Sequence, residues 1–233
     1  MLKKILFYTT ILLFTACSKP AKNQMLVKGE VKEMKKGMLF LQTIDDGELS
    51  NIDSLKLDGT GVFEFATAIE SSQVYFLTMD KDNKKSIPFF GEIGTITIDT
   101  NLKNFVYGAK ISGSKNQEIL DKYNKMQSHF KNKNLEMIKE KFLAEKEKNQ
   151  QKIDSLQLTS KRLIRNNYLY TINFALTNAN SEVAPYLALT ELADVNIKYL
   201  DTINKSLSEE IKNSNYGKKL NTFIEKIKKA EEK

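Results

Sequence analysis

The chain has 233 residues with one cysteine and one histidine, and its formal net charge at pH 7 is +7. A single cysteine excludes an internal disulfide and a Cys-x-x-Cys redox pair. The charge is uneven, because residues 17–110 carry −1 and residues 111–233 carry +6. A basic half of this kind can attract anionic partners.

The N-terminal segment has the three-part layout of a secretory signal. Two lysines within Met1–Lys4 precede a mostly apolar ten-residue run, Ile5–Phe14, which Thr15-Ala16-Cys17 closes. A bilayer-spanning helix needs about twenty apolar residues, so an uncleaved membrane anchor is the weaker alternative. Residues 1–16 are therefore predicted to be a signal peptide, and residues 17–24 a short tether.

A cysteine at the end of such a signal resembles the lipobox of bacterial lipoproteins, although Phe14 stands where leucine is commonest. The resemblance implies lipidation of Cys17, with palmitate-type acyl chains, and cleavage before it. Several acyl chains on one residue suffice for stable anchoring. Ser18-Lys19 lacks an aspartate retention signal, so we expect a lipid-anchored protein of the cell envelope, in the outer membrane, on its periplasmic or surface face.

Residues 25–112 are predicted to form an antiparallel β domain of roughly eight strands, a sandwich or a partly closed barrel. Short β-branched and aromatic runs alternate with turn residues, for example Met38–Leu41, Val62–Phe65, Val74–Leu77 and Thr95–Ile98. Turns are expected at Asp46-Gly47 and at Lys81–Lys84. Pro88 predicts an edge position for its strand, since proline cannot donate to a sheet.

Residues 113–233 are predicted to be helical, which gives an α+β fold class. Ser114-Lys115-Asn116-Gln117 has capping-box spacing, and Ile119, Tyr123, Met126 and Phe130 follow on one helix face. A second helix is expected from about Leu135 toward Leu176. Its candidate buried positions are Ile138, Phe142, Ile153, Leu156, Leu163, Tyr170 and Phe174. Asn178–Ser181 should break this run, and the last helix should begin near Ser214-Asn215.

Seven short pieces, in order along the chain, carry a resemblance to a known family. They are Lys28–Val31, Ile52–Ser54, Gly61–Phe65, Pro88–Glu92, Ile111–Asn116, Asn178–Ser181 and Ser214–Gly217. Together they resemble the β-rich domain of unknown function, plus helical linker, at the N-terminus of bacterial thiol-disulfide interchange lipoproteins. In those relatives a thioredoxin-like domain follows, and here the sequence stops at Lys233 where it would begin. The resemblance implies the fold and the location, and it assigns redox chemistry to no residue here.

Few side chains are grouped in a way that predicts chemistry. His129 has no acid or nucleophile beside it, so we interpret it as a surface or half-buried helix residue. Asp45, Asp46 and Glu48 could bind calcium, but the EF-hand spacing is absent and a solvated turn is the better interpretation. Asp53 is expected to hydrogen-bond locally. We therefore predict no catalytic, cofactor-binding or metal-binding residue.

The segment Lys122–Arg165 holds 12 basic and five acidic residues. It is interpreted first as a solvated helix face and second as an electrostatic surface for anionic lipid or polymer. Envelope protein, glycan and anionic lipid are the expected partners, and nucleic acid is not, because an exported protein meets little of it.

The sequence thus predicts a lipoprotein with a non-catalytic binding or scaffolding role. The alternative is an accessory partner in envelope thiol-disulfide exchange that acts with a separate thioredoxin-like protein.

Overall fold

A computed structural model describes residues 23–45, 47–79 and 85–231. The predicted signal, Cys17, Asp46 and the turn at Lys81–Lys84 lie outside these residues. The strands within them are β1 (Gln24–Lys32), β2 (Lys36–Asp45), β3 (Glu48–Asp58), β4 (Val62–Ala68), β5 (Gln73–Met79), β6 (Ser86–Gly91), β7 (Gly94–Asn101) and β8 (Lys110–Ser112). The helices are α1 (Lys115–Lys146), α2 (Gln150–Thr177), α3 (Val183–Glu191), α4 (Ile197–Ser206), α5 (Glu209–Lys212) and α6 (Asn215–Glu231). The predicted α+β fold class is confirmed.

The strands form two four-stranded sheets that do not close into a barrel. Sheet A has the order β4-β1-β7-β8, and sheet B has the order β3-β2-β5-β6. Every pair is antiparallel except β1 with β7, which is parallel. A parallel pair needs a long connection between its strands. Here the connection runs through β2 to β6, and the sequence pattern did not predict this pairing.

Alternating side chains of both sheets meet in the core of the sandwich. Phe63 and Phe65 of β4 point inward and are 2% exposed, whereas Val62 between the turn and Phe63 is 61% exposed. Burying an apolar side chain of this size stabilises the fold by about 1.5–3 kcal/mol relative to exposure. The other central core residues are Met25, Val27, Leu39, Leu41, Leu77, Ile87, Phe89, Ile96 and Ile98.

Strands β5 and β6 are buried on both faces. Tyr75 and Phe89 face the sandwich core, whereas Val74 and Phe90 face the helices. This explains the unbroken apolar runs in their sequences. Strand β6 is at the edge of sheet B, so the predicted edge position of Pro88 is confirmed.

The first two helices differ from the predicted ones. A single helix continues from Lys115 to Lys146, where a break before Leu135 was expected, because no glycine or proline interrupts the segment between Phe130 and Leu135. The chain reverses at Lys148, whose φ is +53°, and Asn149 caps α2 by accepting a hydrogen bond from the Lys152 amide at 3.1 Å. Helices α1 and α2 therefore form a long hairpin.

Several predicted core positions on this hairpin are exposed. Met126, Ile138 and Phe142 are 39%, 57% and 67% exposed. The prediction was wrong at these three positions, because an apolar pattern on a helix does not show whether another element covers it. In place of Met126 the buried residue is Gln127, whose amide nitrogen donates to the Tyr123 hydroxyl at 2.7 Å.

Helices α2 to α6 surround a second core. The buried members are Ile172, Ala175, Ala184, Ala188, Leu192, Leu200, Ile203, Leu207, Ile211, Leu220 and Ile224. The predicted break at Asn178–Ser181 separates α2 from α3, and α6 begins at Asn215 as predicted. Leu220 and Ile224 are buried, which confirms the apolar face of α6.

Candidate functional site

The candidate residues of the sequence are not brought together. His129 is exposed on α1. Asp53 accepts a hydrogen bond from the Ser54 amide at 2.7 Å, which is the expected local contact. Asp45 and Glu48 pair across the β2–β3 turn. Among the described residues, no cluster of three or more His, Cys, Asp or Glu side chains is placed to hold a metal ion.

Four of the seven pieces that carry the resemblance meet where the sandwich adjoins the helices. They are Pro88–Glu92, Ile111–Asn116, Asn178–Ser181 and Ser214–Gly217, and the contacts described next connect them. We call this region the junction.

The start of α1 is fixed to the sandwich by side-chain hydrogen bonds. Ser114 Oγ accepts from the Gln117 amide at 3.0 Å, which confirms one half of the predicted capping box. The other half is absent, because Gln117 Oε1 accepts from the Phe90 amide of β6 at 2.7 Å. The Glu92 carboxylate accepts from the amides of Lys115 and the next residue at 2.7 and 3.2 Å. An acidic group is favourable at a helix N-terminus.

The Asn178–Ser181 piece is joined to the same helix end. Asn116 Nδ2 donates to Glu92 Oε2 at 2.7 Å, and Asn116 Oδ1 accepts from Ser181 Oγ at 2.7 Å. Ser181 Oγ also accepts from the Val183 amide at the start of α3. The Asn116 side chain on α1 thus connects the residue that follows β6 with the turn between α2 and α3.

Glu182 is the most deeply buried acidic residue of the junction, with 6% of its surface exposed. Its Oε1 accepts from Ser71 Oγ of the β4–β5 loop at 3.0 Å, and its Oε2 accepts from Ser214 Oγ at 2.6 Å. Burial raises the pKa of Glu182 above its ordinary value, and the two hydroxyls offset part of the shift. The sequence analysis missed this residue. The only sequence feature that could have indicated a role for Glu182 is its position, directly after the Asn178–Ser181 piece and before an apolar run.

The start of α6 packs closely against β5. The Val74 amide donates to the Tyr216 hydroxyl at 3.1 Å, and burial raises the pKa of Tyr216 to about 12. A Cβ on Gly217 would overlap the carbonyl oxygen of Ile211, so glycine is required for this approach. These contacts explain why the Ser214–Gly217 piece has its particular residues.

An aromatic cluster fills the space between the hydrogen-bonded contacts. The Phe90 ring lies edge-on to Tyr186 and Tyr216, with centroids 5.8 and 6.1 Å away. Tyr186 and Tyr216 are 5.3 Å apart. Such pairs contribute about 0.5–1.5 kcal/mol each beyond burial. With Val183 and Leu187 of α3 they form a core that belongs to both parts of the molecule.

An open groove of about 840 Å³ lies beside this core. Its volume is in the range of small-ligand sites, roughly 300–1,000 Å³. Its walls come from the sandwich and from the helices. The lining residues are Ile52, Thr67–Gln73, Tyr75, Ile93, Glu182, Glu210, Asn213–Asn215 and Lys218. With three glutamates, including Glu70, and one lysine, the groove is net acidic.

The chain enters the sandwich next to the groove. The Asn23 carbonyl accepts from the amide of Ile69, a residue of the groove wall, at 2.9 Å. Cys17 is six residue steps before Asn23. Six extended residues reach at most about 22 Å.

The basic segment Lys122–Arg165 makes up most of the α1–α2 hairpin. Most of its lysines are exposed. No helix in the described part of the chain is long and apolar enough to cross a bilayer.

The sandwich has a counterpart among known families. No curated protein matches the chain. A family model matches from β1 to the first turns of α1, a range that includes the first junction contacts. Residues 25–120 match the family model of a domain of unknown function, DUF4369.

Proposed function

We propose that this chain is a lipid-anchored protein of the cell envelope with a non-catalytic binding role, and that the junction groove is its ligand site. The observation that carries the proposal is the groove itself, a ligand-sized cleft with walls from both parts of the molecule. Clefts between structural units are common ligand sites. The hydrogen bonds and aromatic contacts of the junction hold its walls in place.

The predicted lipid anchor limits the distance between the groove and the membrane. With Cys17 acylated, Asn23 beside the groove wall can lie at most about 22 Å from the anchored cysteine, which is the reach of the tether. A ligand presented at that membrane is therefore within reach. The absence of an aspartate after the cysteine favours the outer membrane.

The lining predicts the chemistry of the ligand. Three carboxylates against one ammonium disfavour an anionic ligand. Amide and hydroxyl side chains, such as Asn213, Gln73 and Ser72, suit a polar partner with many hydrogen-bonding groups. We therefore propose an uncharged or cationic envelope ligand, with a glycan as the first candidate and a peptide segment as the second.

The reactive-looking groups of the groove are engaged in structural contacts, which supports a binding role over catalysis. Glu182 accepts from two hydroxyls, as described above. Ser214 Oγ accepts from the Gly217 amide at 3.1 Å and so caps α6. Ser71 Oγ accepts from the Asn215 amide at 3.2 Å. Each serine thus holds a loop or a helix end in place.

The test uses purified protein that begins at Ser18, immobilised and exposed to fractionated envelope glycans and peptides. Ile93→Arg and Glu210→Arg place arginine on exposed groove positions and should weaken binding of a retained ligand at least about tenfold, or 1.4 kcal/mol. Val62→Arg and Glu48→Arg are matched controls on exposed sandwich positions. Retention of nothing, or equal losses in the controls, contradicts the proposed groove function.

The anchor is tested separately. Mass spectrometry of the N-terminal peptide from the native host should show acylated Cys17 as the first residue. Protease accessibility on whole cells then distinguishes the surface face from the periplasmic face. An unmodified chain that begins at Met1 contradicts the lipoprotein assignment.

A second proposal is an accessory role in thiol-disulfide exchange with a separate thioredoxin-like protein. Its support is the resemblance described above, four of whose pieces meet at the junction. A strain lacking this protein should accumulate envelope proteins with altered disulfide status. An unchanged disulfide pattern in that strain refutes the role.

A further inference from the structure

The outer part of the α1–α2 hairpin exposes large apolar side chains between its lysines. Leu135, Ile138 and Phe142 of α1 are 63%, 57% and 67% exposed. Their spacing of three and four residues places them on one side of the helix. A contiguous apolar stripe on a surface indicates an interaction site.

The stripe continues onto α2. A groove of about 240 Å³ between the two helices includes Ile138, and a groove of about 430 Å³ beside α2 includes Ile164 and Tyr168. Lys161 lines both grooves, so these residues share one side of the hairpin. We define the hairpin face as Ile138 and Phe142 of the stripe together with Lys141, Lys161, Ile164, Arg165 and Tyr168.

The cations of the hairpin face are available to a partner. Lys161 and Arg165 are exposed, and neither forms an ion pair with any described residue. Lys141 is 3.7 Å from Glu145 in an exposed pair, which contributes little. The whole segment Lys122–Arg165 has 12 basic and five acidic residues. The face therefore combines apolar contact area with excess positive charge.

We propose that the hairpin face docks on an anionic lipid surface. Apolar side chains enter the boundary between headgroups and acyl chains, while lysine and arginine contact the lipid phosphates. The opposite charges of the hairpin face and the acidic groove assign the two surfaces to different partners. The inference takes only its envelope location from the proposed function, and it concerns a different surface.

A second copy of the chain fits this face less well. A two-fold contact places the same patch of both subunits together. Lys161 and Arg165 would then oppose their own copies, and like charges at close range are destabilising. An acidic protein partner is the other alternative, and the experiment separates it from lipid.

The experiment measures co-sedimentation with vesicles of equal parts phosphatidylglycerol and phosphatidylcholine, compared with pure phosphatidylcholine. Protein beginning at Ser18 keeps every described residue and lacks the acylation site. Binding to the anionic vesicles should be at least about tenfold stronger and should weaken with salt.

Two double variants locate the binding surface. Lys161→Glu with Arg165→Glu, and Ile138→Ser with Phe142→Ser, should each lower vesicle binding, the first at least about tenfold. The matched controls are Lys56→Glu with Lys110→Glu for charge, and Val62→Ser for an exposed apolar side chain. Circular dichroism verifies that each variant is folded.

Three results overturn the proposal. The first is no preference for anionic vesicles at low ionic strength, which leaves an acidic protein as the partner. The second is an equal loss of binding in the charge controls, which means that net charge alone is responsible. The third is a dimer in sedimentation analysis that Ile138→Ser with Phe142→Ser disrupts. Ile93→Arg in the groove should bind vesicles normally, so failure of the groove function is distinguishable.

Discussion

Replacing Phe90 by alanine should disconnect the sandwich from the helices. Phe90 is fully buried, and its ring contacts Tyr186 and Tyr216 rather than the sandwich core. Its neighbour Phe89 is 1% exposed and packs on Tyr75 inside the sandwich, with ring centroids 6.0 Å apart. Phe89→Ala is therefore a matched control with the same change in volume on the opposite face of β6.

The expected loss follows from burial and cavity formation. Phenylalanine-to-alanine changes in a core cost about 3–5 kcal/mol, and most of the side-chain volume becomes cavity if the site cannot collapse. A fold of this kind has about 5–15 kcal/mol in total. Both variants should therefore fold with a clearly lower unfolding free energy. Phe90→Leu keeps most of the volume and should lose less than about 1.5 kcal/mol.

Urea unfolding followed by far-UV circular dichroism measures the loss, and hydrogen–deuterium exchange locates it. In Phe90→Ala, exchange should accelerate at the starts of α1, α3 and α6, while β1 and β7 stay protected. In Phe89→Ala, the sandwich strands should lose protection first. A loss below about 1.5 kcal/mol for Phe90→Ala, or the same exchange pattern in both variants, refutes the assignment of Phe90 to the junction.

Three further predictions concern single contacts of the junction. The pKa of Glu182 is higher in the folded protein than in the unfolded chain, so the folded protein binds the carboxyl proton more tightly. The contribution of Glu182 to the unfolding free energy should therefore fall as the pH rises above 4.5. Glu182→Gln should abolish this part of the pH dependence. Tyr216→Phe leaves the Val74 amide without its acceptor and should cost about 1–3 kcal/mol in urea unfolding. Gly217→Ala forces a Cβ against the Ile211 carbonyl and should lower the thermal midpoint by at least about 3 °C.

Each of these predictions has its own control. The Glu182 prediction fails if the unfolding free energies of wild type and Glu182→Gln change in parallel between about pH 4 and about pH 7. Tyr107→Phe controls for loss of a hydroxyl, because Tyr107 is 93% exposed. Lys219→Ala in the same helix is the comparison for Gly217→Ala, because Lys219 is exposed and its replacement should leave the thermal midpoint nearly unchanged. A Gly217 variant as stable as wild type contradicts the close approach.

Local patterns in the sequence predicted the type of most elements. Alternation of apolar and polar residues predicted the strands, because successive side chains of a strand point to opposite faces. The start of α6 and the break after α2 followed from capping and turn residues. Prediction failed on the hairpin, where Met126 is exposed and Gln127 is buried. Gln127 is tolerated inside because its amide donates to Asn167 on the other helix, 40 positions away, at 2.8 Å.

The candidate site was beyond the reach of sequence patterns for the same reason. Gln117 matched a capping box, yet its side chain bonds to β6, because β6 happens to end beside α1. Glu182 meets Ser71 across 111 positions and Ser214 across 32. No periodicity encodes such distant partners.

The sequence by itself determined the division into a β part and a helical part, and the segment that ends at Cys17 led to the prediction of a lipid-anchored envelope protein. These properties depend on neighbours along the chain. The tertiary structure alone decided that four scattered pieces form one junction, that an acidic groove lies beside it, and that the hairpin presents a basic apolar face. Those features depend on which distant side chains share a partner, and packing of the folded chain decides that.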